Sequence, residues 1–344
     1  MKTKSIIAAF IVAALSILIS SCNKEEIAES GDICSLTVTI PETVECSTKV
    51  TGQTDAKESN IKNLQVFVFR DNGLLDASVY TTMTSTSGSA SVNLKCTVGA
   101  RSVWAVANAP SDLTSQIRDA TSLGAITTNL KDNAADALLM VGSVSKSLTE
   151  GNCSVEIPVR RAAASIELEK ISVAMESEAY KTSGAFKLKK IYLVNVCGQT
   201  NYALTLSPGS VPTSYWYGKL AEETSSPAKA LISDDLATPV SIDNGTSYST
   251  VHTFYAYPNN CAHSTSSTFS RRATLLVVEA ELLGELYYYP LKFDSLASNK
   301  RYVITNLTIK RPGSKTPYEP VLFSTASATV TVTPWDSSSR TEEI

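Results

Sequence analysis

The sequence is dominated by short runs of β-branched and aromatic residues, which restrict the chain to a β-rich fold. Gly, Asn, Asp, Ser and Pro bound these runs, as expected where strands end in turns. The runs predict strands at 36–40, 64–69, 103–107, 155–159, 164–173, 189–196, 274–280, 286–293, 302–310 and 326–333. So many strands with so few helix signals favour β-sandwiches over an α/β fold with a parallel sheet.

Alternation within 64–69 predicts a strand that is covered on both faces. Val66 and Val68 point to one side of this strand. Phe67 and Phe69 point to the other side, so both faces are apolar.

Helix and loop signals are confined to a few places. Ser111 is placed to cap a short helix over 111–121, and a further turn is predicted at 133–139. Residues 207–249 are rich in Ser, Pro and Asp, which predicts an elaborated loop.

The first residues have the pattern of an export signal. Lys2 and Lys4 precede an apolar run at 6–19, and two serines then precede Cys22. The run reaches about 21 Å as a helix against a bilayer core of about 30 Å, so it is too short for a comfortable membrane span. We interpret residues 1–21 as a lipoprotein signal peptide with Cys22 as the acylated residue; the alternative is an ordinary signal with a cysteine nearby. Residues 24–26, Lys-Glu-Glu, resemble a surface-export tag or form a solvated linker.

Length and charge limit what the exported part can be. Roughly 320 residues remain after the signal, which suits two domains, and we expect their boundary at 182/183 because of a Ser, Thr and Gly cluster there. The 30 basic and 33 acidic residues nearly balance, so no nucleic-acid partner is expected.

The cysteines lack the spacing of a zinc site, and no metal or cofactor is expected. His252 and His263 are the two histidines of the chain. Buried free thiols are favoured over the alternative of up to three disulfides. The six cysteines besides Cys22 are Cys34, Cys46, Cys96, Cys153, Cys197 and Cys261.

Two terminal segments are amphipathic strands. One apolar face consists of Leu36, Val38 and Ile40, beside Cys34. The other, near the carboxyl end, consists of Ala326, Ala328, Val330 and Val332, followed by Trp335.

A terminal strand at the edge of a sheet is replaceable by a strand from another molecule, because backbone pairing tolerates many sequences. Burial of Leu36, Val38 and Ile40 contributes about 5 to 8 kcal/mol at roughly 1.5 to 3 kcal/mol per side chain. A chain donating its carboxyl-terminal strand recovers a similar amount. A central, enclosed first strand, with Val330 held in its own sheet, would contradict this exchange.

Several segments together resemble the FimA-like fimbrillins, subunits of the type V fimbriae that anaerobic bacteria of gut and mouth assemble from lipoprotein precursors. The resemblance covers nearly the whole chain and depends on the order and spacing of the segments. They are IKNLQVFVF at 61–69 followed by Asn72 and Gly73, GARSVWAVAN at 99–108, LMVG at 139–142, RRAAA at 160–164, IYLVN at 191–195, NKRY at 299–302 and VTVTPW at 330–335.

The resemblance implies an all-β subunit with two transthyretin-like β-sandwich domains, at 50–182 and 183–344, and few short helices. Residues 22–49 then form a lipidated propeptide that includes the first strand, and a surface protease removes it by cutting after Lys49, which leaves Val50 as the first residue. Many family members have Arg at this place. Arg160 and Arg161 form a rival site, but they lie in a predicted strand.

The resemblance also implies partners and location. Polymerisation proceeds by donation of the strand containing Ala326, Ala328, Val330 and Val332, ending near Trp335, to other fimbrial subunits. Before maturation the partner is outer-membrane lipid, through Cys22, and the mature subunit belongs to a fimbrium at the cell surface that supports adhesion. A chain with both a first strand and a donor strand resembles a shaft or accessory subunit.

Two alternatives have less support. An enzyme would need a catalytic motif, and none is found, while Asp234 and Asp235 have the pattern of solvated turn residues. A monomeric adhesin that binds carbohydrate would use the aromatic triplet Tyr215, Trp216 and Tyr217, although anchoring of a loop explains that triplet more simply.

Overall fold

The computed structural model describes residues 32–41, 58–83, 88–205, 216–217, 229–266, 270–322 and 325–335. Cys22, Cys46, Lys49 and Val50 lie outside the described residues. Strands predominate in the described part, which confirms the all-β prediction. The helices there are short: α1 (Ala120–Ala125) and α2 (Lys229–Ile232), with 3₁₀ turns at Leu130–Asp132 and Glu178–Tyr180.

Twenty-two strands are described in chain order. The strands up to the middle of the chain are β1 (Ile33–Ile40), β2 (Asn63–Arg70), β3 (Leu75–Thr82), β4 (Ala90–Thr97), β5 (Gly99–Ala107), β6 (Thr127–Asn129), β7 (Met140–Leu148), β8 (Gly151–Glu156), β9 (Arg160–Arg161), β10 (Ala164–Leu168) and β11 (Ile171–Val173). The remaining strands are β12 (Phe186–Val194), β13 (Val196–Cys197), β14 (Gln199–Asn201), β15 (Trp216–Tyr217), β16 (Ser233–Ser241), β17 (Ser247–Tyr248), β18 (His252–Ala256), β19 (Leu275–Leu282), β20 (Glu285–Lys292), β21 (Lys300–Ile309) and β22 (Ala326–Pro334).

The first sandwich packs a three-stranded sheet against a five-stranded sheet. The strand orders are β4-β1-β8 and β3-β2-β5-β7-β9. The inner faces of both sheets contribute to one hydrophobic cluster, in which Leu36 and Val38 from the three-stranded sheet join Val66 from the five-stranded sheet. The apolar alternation in the strands therefore builds a two-layer core, as in other sandwiches.

The second sandwich packs a six-stranded sheet against a four-stranded one. In the larger sheet the order is β17-β11-β21-β10-β18, and β22 pairs with β21; in the smaller sheet it is β16-β12-β19-β20. Along one edge β21 pairs in parallel with β10 and then β11, and it pairs antiparallel with β22 along its whole length. Among the described strands, β22 therefore pairs on one side only and forms an edge of its sheet.

The chain crosses from the five-stranded sheet to the six-stranded sheet between Arg161 and Ala164. Arg160 and Arg161 form β9, which pairs with β7, whereas Ala164 begins β10. The expected domain boundary at 182/183 stays a prediction. The change of sheet at 161–164 comes about 20 residues before it in the sequence.

Strand β2 confirms the prediction of a strand covered on both faces. Val66 and Val68 belong to the cluster between the two sheets of the first sandwich. Phe67 and Phe69 belong to a second cluster, which continues into the core of the second sandwich. All four side chains are 0% exposed, so one strand contributes to two cores.

The predicted helix over 111–121 is wrong, because a side chain holds this backbone in another conformation. The amide of Gln65 accepts a hydrogen bond from the backbone N–H of Leu113 at 2.8 Å and donates one to the carbonyl of Ser111 at 2.7 Å. Helix α1 begins later, after Asp119, whose carboxylate accepts from the N–H of Ser122 at 2.7 Å. The predicted turn at 133–139 is present as a hydrogen-bonded turn, in which the N–H of Ala137 donates to the carbonyl of Ala134 at 2.9 Å, but it is not helical.

The predicted loop over 207–249 contains a strand. Its residues Ser233–Ser241 form β16, at the edge of the four-stranded sheet, where they pair with β12 around a bulge. Most of these side chains are exposed, so the strand is held by backbone pairing and leaves no apolar alternation in the sequence. Asp234 and Asp235 lie in this strand, and the expectation that they are turn residues is wrong.

Candidate functional site

Strand β1 runs through the middle of the three-stranded sheet. It pairs antiparallel with β4, from Ile33 opposite Thr97 to Ile40 opposite Ala90. On its other side it pairs in parallel with β8, from Cys34 opposite Gly151 onwards. The expectation that this strand lies at an edge is therefore wrong, because apolar alternation shows which face of a strand is covered but not how many of its edges are paired.

The inner face of β1 is completely buried. Leu36, Val38 and Ile40 are each 0% exposed, as is Cys34. The outer face is polar and bonds to β4, since the Thr37 hydroxyl donates to Asn93 Oδ1 at 2.6 Å. The predicted first-strand residues thus form one wall of the core of the first sandwich.

Strands β4 and β8 each pair with β1 and not with each other. Both neighbours lie far from β1 in the sequence. The covalent link between β1 and these two strands is the chain that follows Ile40. Loss of β1 would leave two open strand edges facing a slot lined by the core. Any strand that fills this slot gains backbone pairing on both sides, at about 0.5 to 1.5 kcal/mol per hydrogen bond.

The β4 wall of the slot is fixed by a buried carboxylate. Asp76, whose side chain is 1% exposed, accepts hydrogen bonds from the N–H and hydroxyl of Thr97, both at 2.8 Å. It also forms ion pairs with Arg70 at 3.1 Å and Arg101 at 3.2 Å. Burial acts to raise the pKa of Asp76, but the Thr97 hydrogen bonds and the two guanidinium groups outweigh it and lower the pKa overall.

This carboxylate makes the fold sensitive to acid. We expect Asp76→Asn to lower the free energy of unfolding by about 3 kcal/mol near pH 7, because it removes the buried carboxylate that pairs with the buried Arg101 and the half-buried Arg70. Since the pKa of Asp76 is lowered in the folded state, its contribution is present above the ordinary aspartate pKa and is lost as the pH falls through the folded value. Urea unfolding at neutral and acid pH measures both effects.

The exposed Asp71→Asn variant is the control, and it should change little at either pH. A difference between wild type and Asp76→Asn that stays constant down to acid pH would contradict the role given to the Asp76 charge.

The carboxyl-terminal strand β22 lies in its own sheet. Ala326 and Val330 are buried, at 6% and 7% exposed, while Ala328 and Val332 are half-buried and pack against the same cluster. Val330 pairs with Ile304 of β21. In this conformation β1 is central and Val330 is held in its own sheet. This is the arrangement that we expected to contradict strand exchange, and it applies to the uncleaved chain.

Trp335 ends the described chain in a buried aromatic and cationic cluster. Its ring stacks on Tyr255, with centroids 6.1 Å apart. The guanidinium of Arg161 lies 4.7 Å from the ring centroid and that of Arg301 lies 5.8 Å away. Two cations over one indole are a favourable arrangement only if a nearby anion balances their charge.

The central anion is Glu58, which no sequence pattern indicated, and Glu167 is a second anion, 3.1 Å from Arg301 Nε. The Glu58 carboxylate accepts hydrogen bonds from Arg301 Nη2 at 2.9 Å, from Trp335 Nε1 at 3.1 Å and from the hydroxyl of Tyr255. Its backbone carbonyl accepts from Arg161 Nε at 3.3 Å. Burial, together with the Glu58 carboxylate, raises the pKa of Tyr255. We call Glu58, Arg161, Tyr255, Arg301 and Trp335 the Glu58 cluster.

The Glu58 cluster brings together residues from three of the sequence segments on which the family resemblance depends. The segments at 160–164, 299–302 and 330–335 supply Arg161, Arg301 and Trp335. Asn299 supports this meeting point, since it has a φ of 57° and its carbonyl accepts from the N–H of Trp335 at 3.1 Å. Asparagine adopts this left-handed conformation more readily than most residues.

Loss of the Glu58 charge should destabilise the fold strongly. We expect Glu58→Gln to lower the free energy of unfolding by about 3 kcal/mol, because it breaks the buried Arg301–Glu58 ion pair, although Arg301 keeps its ion pair with Glu167 at 3.1 Å. Denaturant unfolding followed by tryptophan fluorescence measures the change.

The matched control is Glu176→Gln, which removes the exposed ion pair with Arg311 at 2.7 Å and should cost at most about 1 kcal/mol. Equal effects of the two variants would contradict a special role for the Glu58 carboxylate.

Two residues considered for other functions, Tyr217 and His252, are buried, whereas Tyr215 lies outside the described residues. Tyr217 is 3% exposed and belongs to the main hydrophobic cluster, so it does not present its ring to a ligand. His252 is buried, its ring nitrogens lying 2.8 Å from Asp234 and 3.1 Å from the hydroxyl of Tyr248. Neither α1 nor α2, the helices of the described chain, has the length and apolarity to cross a bilayer.

Comparison of the sequence with protein-family models finds one match. Residues 34–154 match the model of the major fimbrial subunit protein FimA. The matched region begins in β1 and ends in β8, so it includes all three strands of the three-stranded sheet. A search among curated protein sequences finds no match.

Solved structures share the fold over nearly the whole chain. A candidate cell adhesion protein of Bacteroides eggerthii superposes with a TM-score of 0.65 at 22% identity, covering 89% of this chain and 97% of its own. The fimbrilin FimA of Porphyromonas gingivalis gives 0.63 at 15% identity, covering 88% and 98%. The tip fimbrial protein Mfa3 of the same organism gives 0.51 at 12% identity, covering 88% and 100%. The resemblance to the FimA-like fimbrillins is therefore confirmed, in sequence over residues 34–154 and in fold over nearly the whole chain.

Proposed function

We propose that this chain is a structural subunit, shaft or accessory, of a type V-like fimbria at the cell surface. It is exported as a lipoprotein acylated at Cys22 and held by outer-membrane lipid until a protease cuts after Lys49. Subunits then join when β1 leaves its slot and the carboxyl-terminal strand of another subunit enters. The match of residues 34–154, which include the strands of the β4-β1-β8 sheet, to the model of the major fimbrial subunit FimA is the observation that supports this proposal most.

The uncleaved chain is in a closed state. While β1 is covalently attached, its local concentration at the slot is far above that of any other chain, so an intermolecular strand cannot compete. Cleavage after Lys49 removes this advantage, because β1 then belongs to a separate peptide. Centrality of β1 does not prevent its departure, since a cut peptide is held only by backbone pairing and by the burial of its inner face.

The slot and the proposed donor strand match in pattern and differ in size. Alternate apolar positions occur in both strands, so the face of β22 that carries Val330 and Val332 fits the face vacated by Val38 and Ile40. Ala326 and Ala328 are smaller than Cys34 and Leu36. A donor strand in this alignment therefore fills the slot less completely than β1 does, which favours the closed state until cleavage.

The donor strand is the more easily detached of the two. Among the described strands, β22 pairs only with β21, whereas β1 pairs with two neighbours. Detachment of β22 also separates Trp335 from the Glu58 cluster. The strand then recovers pairing on both sides in the slot of the next subunit.

Cleavage should convert the precursor from monomers into polymers. We expect limited trypsin treatment of the unlipidated precursor to give a protein that starts at Val50 and forms ladders in mild SDS. Lys49→Ala should stay monomeric, and the control Lys181→Ala, which changes a lysine of the second sandwich, should behave like the wild type.

Two outcomes would contradict the proposal. A Lys49→Ala protein that still polymerises would refute the site of cleavage. Cleanly cleaved protein that remains monomeric would refute exchange and favour the alternative, a monomeric surface adhesin.

The donor strand is tested with peptides. We expect a peptide of residues 325–335 to bind the cleaved protein and to stop ladder growth, because it fills the slot without offering a slot of its own. A control peptide with serine at 326, 328, 330 and 332 keeps the backbone donors and acceptors but lacks the apolar face, so it should not bind. Equal inhibition by both peptides, or by neither, would contradict β22 as the donor.

A further inference from the structure

Three cysteines meet on adjacent strands at the amino-terminal end of β1. Cys34 lies on β1, Cys96 on β4 and Cys153 on β8. All three are free thiols that belong to, or pack against, the core of the first sandwich. Cys34 and Cys96 are buried, whereas Cys153 is partly exposed.

The pairing register brings Cys34 and Cys96 within disulfide distance. They are direct partners in the antiparallel pairing of β1 with β4. Opposite residues of such a pair have Cα atoms about 4.5 to 5.5 Å apart. Disulfides span Cα separations of about 4.4 to 6.8 Å. Cys96 Sγ also lies 4.0 Å from the carbonyl oxygen of Cys34, so the side chain points toward β1.

The Cys153 thiol also lies beside that of Cys34, but the register of β8 suits a disulfide to Cys34 less well. The partner of Cys153 on β1 is Leu36, two residues along the strand from Cys34. With strands about 4.8 Å apart and about 3.3 Å per residue, the two Cα atoms are about 8 Å apart. That exceeds the separation of about 7 Å that a disulfide bridges without movement of the backbone.

We propose that Cys34 and Cys96 are an oxidative modification site, at which a disulfide locks β1 into its sheet. The co-reactant is a disulfide-carrying oxidant. One cysteine loses its proton and attacks this disulfide, which forms a mixed disulfide and releases one thiolate. The second cysteine loses its proton and attacks the cysteine sulfur of the mixed disulfide, which releases the second thiolate. Two protein thiols are oxidised and one oxidant disulfide is reduced to two thiols.

The consequence for assembly depends on the function proposed above. A Cys34–Cys96 bond crosses from the removable strand to the body of the subunit, so cleavage after Lys49 no longer frees β1. Burial raises the pKa of the Cys34 thiol to about 12 and also raises that of Cys96. Because thiolates are the reactive form, exchange in the folded protein is slow, and the bond forms most readily while the chain folds.

The lock is tested by refolding the full-length precursor with either oxidised glutathione or dithiothreitol. A Cys46→Ser background leaves Cys34 as the single cysteine between Lys24 and Lys49. Trypsin then places Cys34, Cys96 and Cys153 on separate peptides, residues 25–49, 96–101 and 147–160. Peptide mass mapping without reductant identifies the bonded pair.

We expect oxidised protein to yield peptide 25–49 joined to 96–101. After limited cleavage at Lys49, the fragment that ends at Lys49 should stay attached in denaturant until dithiothreitol is added. Cys96→Ser should abolish the attachment and Cys153→Ser should retain it. Ladders should be absent from the oxidised, cleaved protein and should appear once it is reduced.

Release of the fragment that ends at Lys49 from oxidised protein in denaturant would overturn the lock, as would attachment that survives Cys96→Ser or disappears with Cys153→Ser. Failure of the proposed function has a different signature, because reduced and cleaved protein would then form no ladders whether or not the bond exists.

Discussion

The structure depends on one strand that two others need as a neighbour. Strands β4 and β8 are brought into one sheet by β1, which lies between them and buries Leu36, Val38 and Ile40 against the opposite sheet. Both neighbours are far from β1 in the sequence, so the sheet of the first sandwich is completed by a strand that precedes the rest of that sandwich in the chain. A fold of this kind is incomplete without a strand of the right pattern, and the source of that strand matters less than its pairing and its apolar face.

The first and last described segments of the proposed mature chain meet at the Glu58 cluster. Glu58 is eight residues after the expected new terminus at Val50 in the sequence, and Trp335 directly follows β22. One buried carboxylate therefore joins the start of the mature subunit to the end of its carboxyl-terminal strand. Detachment of β22 has to break these bonds, so the cluster helps to keep the subunit closed until another slot is available.

The sequence predicts the elements whose side chains alternate and misses those held by other means. Strand β2 was predictable with both of its covered faces, because Val66 and Phe67 report on the two cores directly. Strand β16 was not, because its exposed residues pair through the backbone. The central position of β1 and the role of Glu58 depend on long-range pairing, which no local pattern contains. The helix predicted over 111–121 failed because the Gln65 side chain holds that backbone.

The most direct test of exchange is a density map of filaments grown from the cleaved protein, resolved well enough to assign side chains. The account predicts that the strand between β4 and β8 belongs to a neighbouring subunit and carries Val330 and Val332 toward the core, with β1 absent. A map in which Leu36, Val38 and Ile40 of the same chain still fill that position would contradict it.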